Sequence, residues 1–218
     1  EGPREFECAN DPQSRCQTGQ YTADLSRKVI SDHFGRNKSC TRLINFWPLF
    51  CRKHYQRATY NNKAWQTRKI SLILDQFDEI ERQIPGTKYN VTLKKSEDTR
   101  LLTYLGMKAL DRTQDEIEQE IKPSDNGKSF EAPIKILKKL AKAKRFGKNK
   151  TIDEVKETVE VLAQMLEEDS MTHVPAIEFL PQLKDNGVPF TYGVDEPSTK
   201  ATPKKSRVSD KGAITKPS

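Results

Sequence analysis

Apolar residues recur at steps of three and four through most of this chain, and the pattern predicts a succession of helices. Within 22–34, Leu25, Val29 and Ile30 share one face, Thr22 or Asp24 supplies a cap, and Gly35 supplies a stop. A second helix is expected over 43–60, where Ile44, Trp47 and Cys51 form one stripe and Phe46, Phe50 and His54 an adjacent one. Pro48 suits only a first turn, since an interior proline costs about 3 kcal/mol, so the regular helix should start near Trp47 with Asn45 as its cap. The strongest pattern runs from 64 to 84, with Ile70, Ile73, Leu74, Phe77, Ile80 and Ile84 on the apolar side. Pro85-Gly86 breaks it, and Val91 to Leu93 read as a short strand.

Further along, Ser96 is expected to cap a helix whose Leu101, Leu102 and Leu105 face a neighbour, and a short helix is expected over 113–121. Another fits 131–146, with Pro133 in its first turn and Gly147 at its stop. In 151–169, Thr151 and Glu154 form a capping-box pattern ahead of the stripe Ile152, Val155, Val159, Leu162 and Leu166. The implied fold is mainly α: a compact helical domain with a zinc-stapled basic N-terminal module and at most one short β-hairpin or strand. Its expected parts are an irregular arm at 1–20, the basic module at 21–85, a strand and helical extension at 86–122, a linker at 123–130, and a helical segment at 131–183. Residues 191–218, rich in Lys, Ser, Thr and Pro, read as a disordered tail.

Composition adds a location to this outline. A hydrophobic content of 34% over 218 residues supports a modest core. The formal charge of +7 is local: eleven Arg or Lys lie between Arg27 and Lys69 against the single acid Asp32. That concentration points to an anionic partner. No run is long and apolar enough to suggest a transmembrane span. The first ten residues resemble neither a signal peptide nor a presequence, and the missing initiator Met suggests a processed or excised chain.

Cys40, Cys51 and His54 lie inside the basic segment, and "CRKH" places a thiolate and an imidazole three residues apart, a spacing suited to zinc. A closed site needs a fourth donor, for which His33 is nearest, Cys16 is less local and Cys8 less local again. Free thiols, or two disulfides among Cys8, Cys16, Cys40 and Cys51 in a secreted chain, are the alternatives. Sequons at Asn37, Asn90 and Asn149 are compatible with secretion.

The segments "GRNKSC" and "CRKHYQR", ten residues apart at their cysteines, resemble the plant WRC class of DNA-binding elements and, more loosely, small Cys/His modules of chromatin proteins. The resemblance covers about 25 residues. It implies Cys40, Cys51 and His54 as metal ligands, a basic DNA-binding character for Arg52, Lys53 and Arg57, and a nuclear location. The basic segment itself offers Arg36, Lys38, Arg42, Arg52, Lys53, Gln56, Arg57, Lys63, Arg68 and Lys69 for contact with phosphates or bases. Double-stranded DNA is the preferred ligand, with RNA as the alternative. A helical interaction domain binding an acidic protein, with "APIKILKKLAKAKRF" as its basic surface, is the competing reading. No nucleotide-binding, metalloprotease or hydrolase motif accompanies the histidines, so a non-enzymatic role is expected.

Overall fold

The computed structural model describes residues 3–11, 13–36, 38–122 and 130–183. The expected linker, apart from Phe130, and the expected tail lie outside the described residues. In chain order the elements are β1 (Ser26–Lys28), β2 (Leu49–Cys51), α1 (Arg52–Tyr60), α2 (Asn62–Gln83), β3 (Tyr89–Leu93), α3 (Lys95–Ala109), α4 (Gln114–Ile121), α5 (Ile134–Lys142), β4 (Gly147–Lys150), α6 (Ile152–Glu167) and β5 (Ile177–Pro181). Short 3-10 turns occupy Ala23–Leu25, Ser31–Phe34 and Ser39–Thr41.

The strongest sequence pattern becomes the longest helix. α2 buries Ile70, Ile73, Phe77 and Ile80, and α6 meets it with Val155, Val159, Leu162 and Met165. The Thr151–Glu154 capping box holds the start of α6 as the sequence indicates. Against these helices lies an antiparallel sheet of order β4-β3-β5, with Tyr89 opposite Pro181 and Leu93 opposite Ile177. Phe77 is the hub, with ring centroids of Phe34, Tyr89 and Phe179 each 5.2 Å away. Burying one such ring contributes about 1.5–3 kcal/mol, and the edge-to-face contacts add to that.

A smaller cluster of Tyr104, Ile117 and Ile121 joins α3 to α4. Buried Glu97 clips α3 to the start of α5: its carboxylate accepts from the Ala132 N–H at 2.6 Å and pairs with Arg100 at 2.7 Å. Arg100 in turn donates to the carbonyl of Ile121, the last residue of α4, and to that of Ala132 ahead of α5, so one guanidinium joins the two helix ends.

The mainly helical class holds, but strands are more numerous than the sequence suggests. The helix expected over 22–34 is instead a 3-10 turn, strand β1 and a second 3-10 turn, because Ser26, Arg27 and Lys28 pair with Cys51, Phe50 and Leu49. The helix expected to start near Trp47 begins five residues later, with Cys51 rather than Asn45 as its cap. Pro48 lies just before β2, where its missing N–H removes no helical hydrogen bond. Val91 to Leu93 do form a strand, but it is central to a sheet whose other two members were not expected. Leu101 is buried while Leu102 and Leu105 point to solvent, at 60% and 49% exposure, since Tyr104 takes the inward position. Pro133 caps α5 rather than entering it, and Gly147, at φ 133°, opens β4.

Residues 31–34, in a 3-10 turn where a helix was expected, and residues 39–41 dock on β5. Phe34 inserts between Trp47, Phe77 and Phe179. Gly35 sits at φ 68°, a conformation that favours glycine, and a Cβ there would meet Leu180 Cδ2 at 2.5 Å and oblige that side chain to shift. Lys38 pairs with Glu178 on β5.

His33 belongs to the same contact and is fully enclosed, its Nδ1–H donating to the Ile177 carbonyl at 3.0 Å. Burial, reinforced by the charges of Lys69 and Lys94 and opposed by Asp32, lowers its pKa to about 4. An unfolded histidine titrates near 6.5, so the unfolded chain takes up this proton first as pH falls. Neutral His33 therefore supports the fold fully above about pH 6.5 and progressively less down to about pH 4, a loss of about 3 kcal/mol. The wild-type urea midpoint should consequently fall more steeply across that window than the midpoint of His33→Gln. Parallel falls would remove His33 as the cause.

Candidate metal centre

The sequence spacing that singled out Cys51 and His54 has a simple local origin. Cys51 ends β2 and caps α1, so the next helical turn returns His54 to the same side as the Cys51 sulfur. The His54 N–H donates to Cys51 Sγ at 3.4 Å, a thiol taking the role a Ser or Asp oxygen plays at other N-termini.

Two more donors arrive from the N-terminal arm. Cys8 Sγ lies 3.4 Å from His54 Nδ1 and accepts from the Cys51 N–H at 3.2 Å. Cys16 Sγ lies 3.6 Å from His54 Nδ1 and 3.9 Å from Cys51 Sγ. All four ligand atoms fall within 4.8 Å of one another. A tetrahedral ion with bonds of about 2.3 Å to sulfur and about 2.0 Å to nitrogen requires edges of about 3.8 Å between sulfurs and about 3.5 Å between sulfur and nitrogen. The three separations above lie within about 0.1 Å of those edges, and the cluster can bind a metal.

Among its described residues the arm carries no regular structure up to residue 20, yet it is fixed at several points. The Glu5 N–H reaches the Tyr21 carbonyl at 2.9 Å, and the Ala9 N–H reaches Leu49 at 2.8 Å. Arg4 covers the Tyr21 ring with its guanidinium 3.6 Å from the centroid and donates to the Cys16 carbonyl. Tyr21 Oη donates to that carbonyl too, and Arg68 Nη2 donates to Asn10 at 3.1 Å. These contacts bring Cys8 and Cys16 to the head of α1.

The surroundings favour ligation. Thr18 Oγ1 is 3.2 Å from both the Cys16 and Cys51 sulfurs, placing one hydroxyl to orient two of the ligands. Burial raises the Cys16 thiol, but hydrogen bonds from Thr18, Cys51 and Cys8 outweigh it and leave the pKa lowered. Burial and the Arg57 charge lower His54, which keeps its ring neutral and its nitrogen free to coordinate. Burial, with the neighbouring Cys51 and Cys16 sulfurs adding to it, pushes Cys8 up to about 11, which opposes its ionisation until a metal ion is there to offset the thiolate charge. A cavity of about 380 Å³ opens beside Cys8, Cys16 and His54 and gives an ion a way in.

The cluster differs from the expected ligand set at two positions. Cys51 and His54 are members, and the alternative donor Cys16 is a member, but His33 and Cys40 are replaced by Cys16 and Cys8. His33 is committed to the Ile177 carbonyl, and Cys40 sits half-buried in the 3-10 turn tied to β5 by neighbouring Lys38. No pairing signal in the sequence identifies Cys8, which the arm's tertiary contacts deliver. All four cysteines are free, and the 3.9 Å between Cys16 and Cys51 is far from the roughly 2.05 Å of a disulfide.

The ten basic-segment positions separate into groups. Lys38 and Lys63 pair with Glu178 and Asp169, and Arg68 holds the arm. Lys69 is half-buried beside Trp65. Arg36, Arg42, Arg52, Lys53, Gln56 and Arg57 are exposed. No family model, curated protein or solved structure matches the chain.

Purified under reducing conditions, the protein should carry about one metal equivalent. Cys8→Ser and Cys16→Ser should each lose most of it, while Cys40→Ser and His33→Gln should keep it, as measured by elemental mass spectrometry. Metal retained by Cys8→Ser and lost by Cys40→Ser would reverse the ligand assignment.

Proposed function

We propose that the chain is a non-enzymatic nucleic-acid-binding protein in which a zinc ion at Cys8, Cys16, Cys51 and His54 fixes a basic helix against double-stranded DNA. Three thiolates and one imidazole form the donor set that zinc takes in closed structural sites, and four protein ligands leave no open coordination position for catalysis. The residues immediately after ligand Cys51 carry the reading. Arg52, Gln56 and Arg57 are exposed on α1, as is Lys53, whose Nζ reaches the Thr18 carbonyl at 3.5 Å, and the helix contains no acidic residue.

Arg52 and Lys53 stand in the first turn, where the helix dipole disfavours cations. Among the described residues neither has a carboxylate partner, and a phosphate at this end would satisfy both the side chains and the dipole. A B-form duplex presents such phosphates on both sides of a groove that admits a helix. RNA would meet the same charges, but its deep, narrow groove would exclude the helix from base edges. A nuclear role in transcription or chromatin is the corresponding cellular reading.

A protein-interaction role has a separate support, the exposed Leu102, Leu105 and Leu110 on and just beyond α3. The basic stretch around α5 supports it less. Its apolar residues Ile136, Leu137 and Leu140 are buried in the core, so only its lysines face outward.

Replacing Arg52, Lys53 and Arg57 with Gln should weaken binding to matched and scrambled duplexes alike. It should also make the logarithmic salt slope shallower by up to about three phosphate contacts. Lys108→Gln, on an exposed turn of α3, should leave both unchanged. Fluorescence anisotropy across a salt series, with circular dichroism as a folding control, makes the measurement. An unaltered slope in the folded triple variant would remove α1 as the binding face and put the α3 interaction surface ahead.

A further inference from the structure

A second concentration of charge lies apart from the exposed face of α1. β1, the turn before Arg36, α1 and α2 enclose a groove of about 510 Å³. Arg27, Lys28, Arg36 and Lys69 line it against one carboxylate, Asp32, and its apolar wall is formed by Tyr55 and Trp65. Asp32 is shared with Lys94, whose Nζ approaches to 3.9 Å. Among the described residues Lys28, Arg36 and Lys69 form no ion pair, in contrast to Lys38 and Lys63.

We propose that this groove binds a nucleotide, with the phosphate held by Lys28, Arg36 and Lys69 and the base resting against Tyr55 and Trp65. The proposal goes beyond the duplex-binding reading and uses none of the three cations assigned to it. The volume lies within the range of small-ligand sites, which combine apolar walls with a few convergent polar groups. The aromatic wall is braced: Tyr55 and Phe50 both meet Trp65 edge-on, at 6.1 and 6.2 Å. Lys69 follows Trp65 by one helical turn, its Nζ 5.9 Å from the indole centroid, so α2 presents a cation and a ring on one face. Lys28 lies 4.2 Å from the Trp47 ring, a weak partner that a phosphate would outcompete.

Holding these charges together carries a cost that an anion would relieve. Burial lowers the Lys28 amine from its ordinary value and the Arg36 charge lowers it further. Burial likewise lowers Lys69, with Lys94 adding to the effect and Asp32 opposing it. Cations lining one groove beside an aromatic surface make a site suited to phosphate.

The phosphate can belong to a free nucleotide or to a strand, and one titration series separates these sources. Adenosine 5′-monophosphate should quench Trp65 fluorescence saturably in the full-length, metal-loaded chain carrying Trp47→Phe. Lys28→Gln, Arg36→Gln and Lys69→Gln combined should weaken that binding about tenfold or more, as expected from lost charge-assisted hydrogen bonds. The melting temperature without ligand should stay level or rise, because repulsion is removed; a merely structural role would lower it. Ribose 5-phosphate should bind more weakly than the nucleotide. Displacement of the nucleotide by an unlabelled single strand would assign the phosphate to a nucleic acid, and failure to displace it would assign the site to free nucleotide. No saturable binding, equal binding by the triple variant, or equal affinity for ribose 5-phosphate would overturn the proposal. The Arg52, Lys53 and Arg57 triple variant should bind the nucleotide normally, so failure of duplex binding leaves this result interpretable.

Discussion

The architecture of the N-terminal half turns on Cys51, where three demands meet in one residue. Its backbone ends β2 and pairs with Ser26, its sulfur caps α1, and the same sulfur stands in the metal cluster. Moving it would disturb the strand pair, the helix start and the ligand tetrahedron together. The other thiolates come from a segment without regular structure, where fixing each residue costs roughly 1–2 kcal/mol of backbone entropy. Hydrogen bonds from Arg4, Tyr21 and Arg68 offset part of that cost, and metal ligation can supply the larger share.

The clasp does not work on an isolated module. One hydrophobic core runs from Val29 and Phe34 through α2 to Phe179; Cys16, Tyr21 and Cys51 form a small cluster of their own, joined to that core through Cys8, which packs against both. Phe34 and His33 enter that core, and Gly35 allows the close approach to Leu180 that brings them there. This docking also explains the place of Cys40. The loop that carries it follows Gly35 toward β5, away from the sulfurs that Cys51 gathers.

What could be read from the chain in advance depended on the range of the interactions involved. α2 and α6 were legible because a helix shows its buried face at a period of 3.6 residues, and the Thr151–Glu154 cap lies within four positions. The pair Cys51 and His54 was legible for the same reason, being one turn apart. Cys8 is 43 residues from Cys51, and only the folded arm brings the two together, so nearness in sequence favoured Cys40, which the fold places outside the cluster. β1 was hidden because its three residues gain their conformation from pairing with β2. β4, with the sequence Gly-Lys-Asn-Lys, shows no apolar alternation, while β5 does, in Ile177 and Phe179. The groove was invisible for a further reason: its cations come from three separate segments, and the sequence showed their density without their convergence.

α1 links these features electrostatically as well as mechanically. His54 faces the cluster, Tyr55 faces the groove, and Arg52, Lys53 and Arg57 lie on the remaining surface. A divalent ion held by three thiolates leaves one net negative charge at the head of this basic helix, whereas the same thiols in their protonated form leave none. Ligation would therefore do more than orient the helix. It would lower the mutual repulsion of the arginines and lysines around it, which makes a dense cationic surface compatible with a packed domain. The repulsion would remain strongest in the groove, where Lys28, Arg36 and Lys69 converge on the side of α1 bordered by Tyr55 rather than His54. A metal at the cluster and an anion in the groove would thus relieve the same local excess of positive charge from neighbouring faces of one short helix, those of His54 and Tyr55.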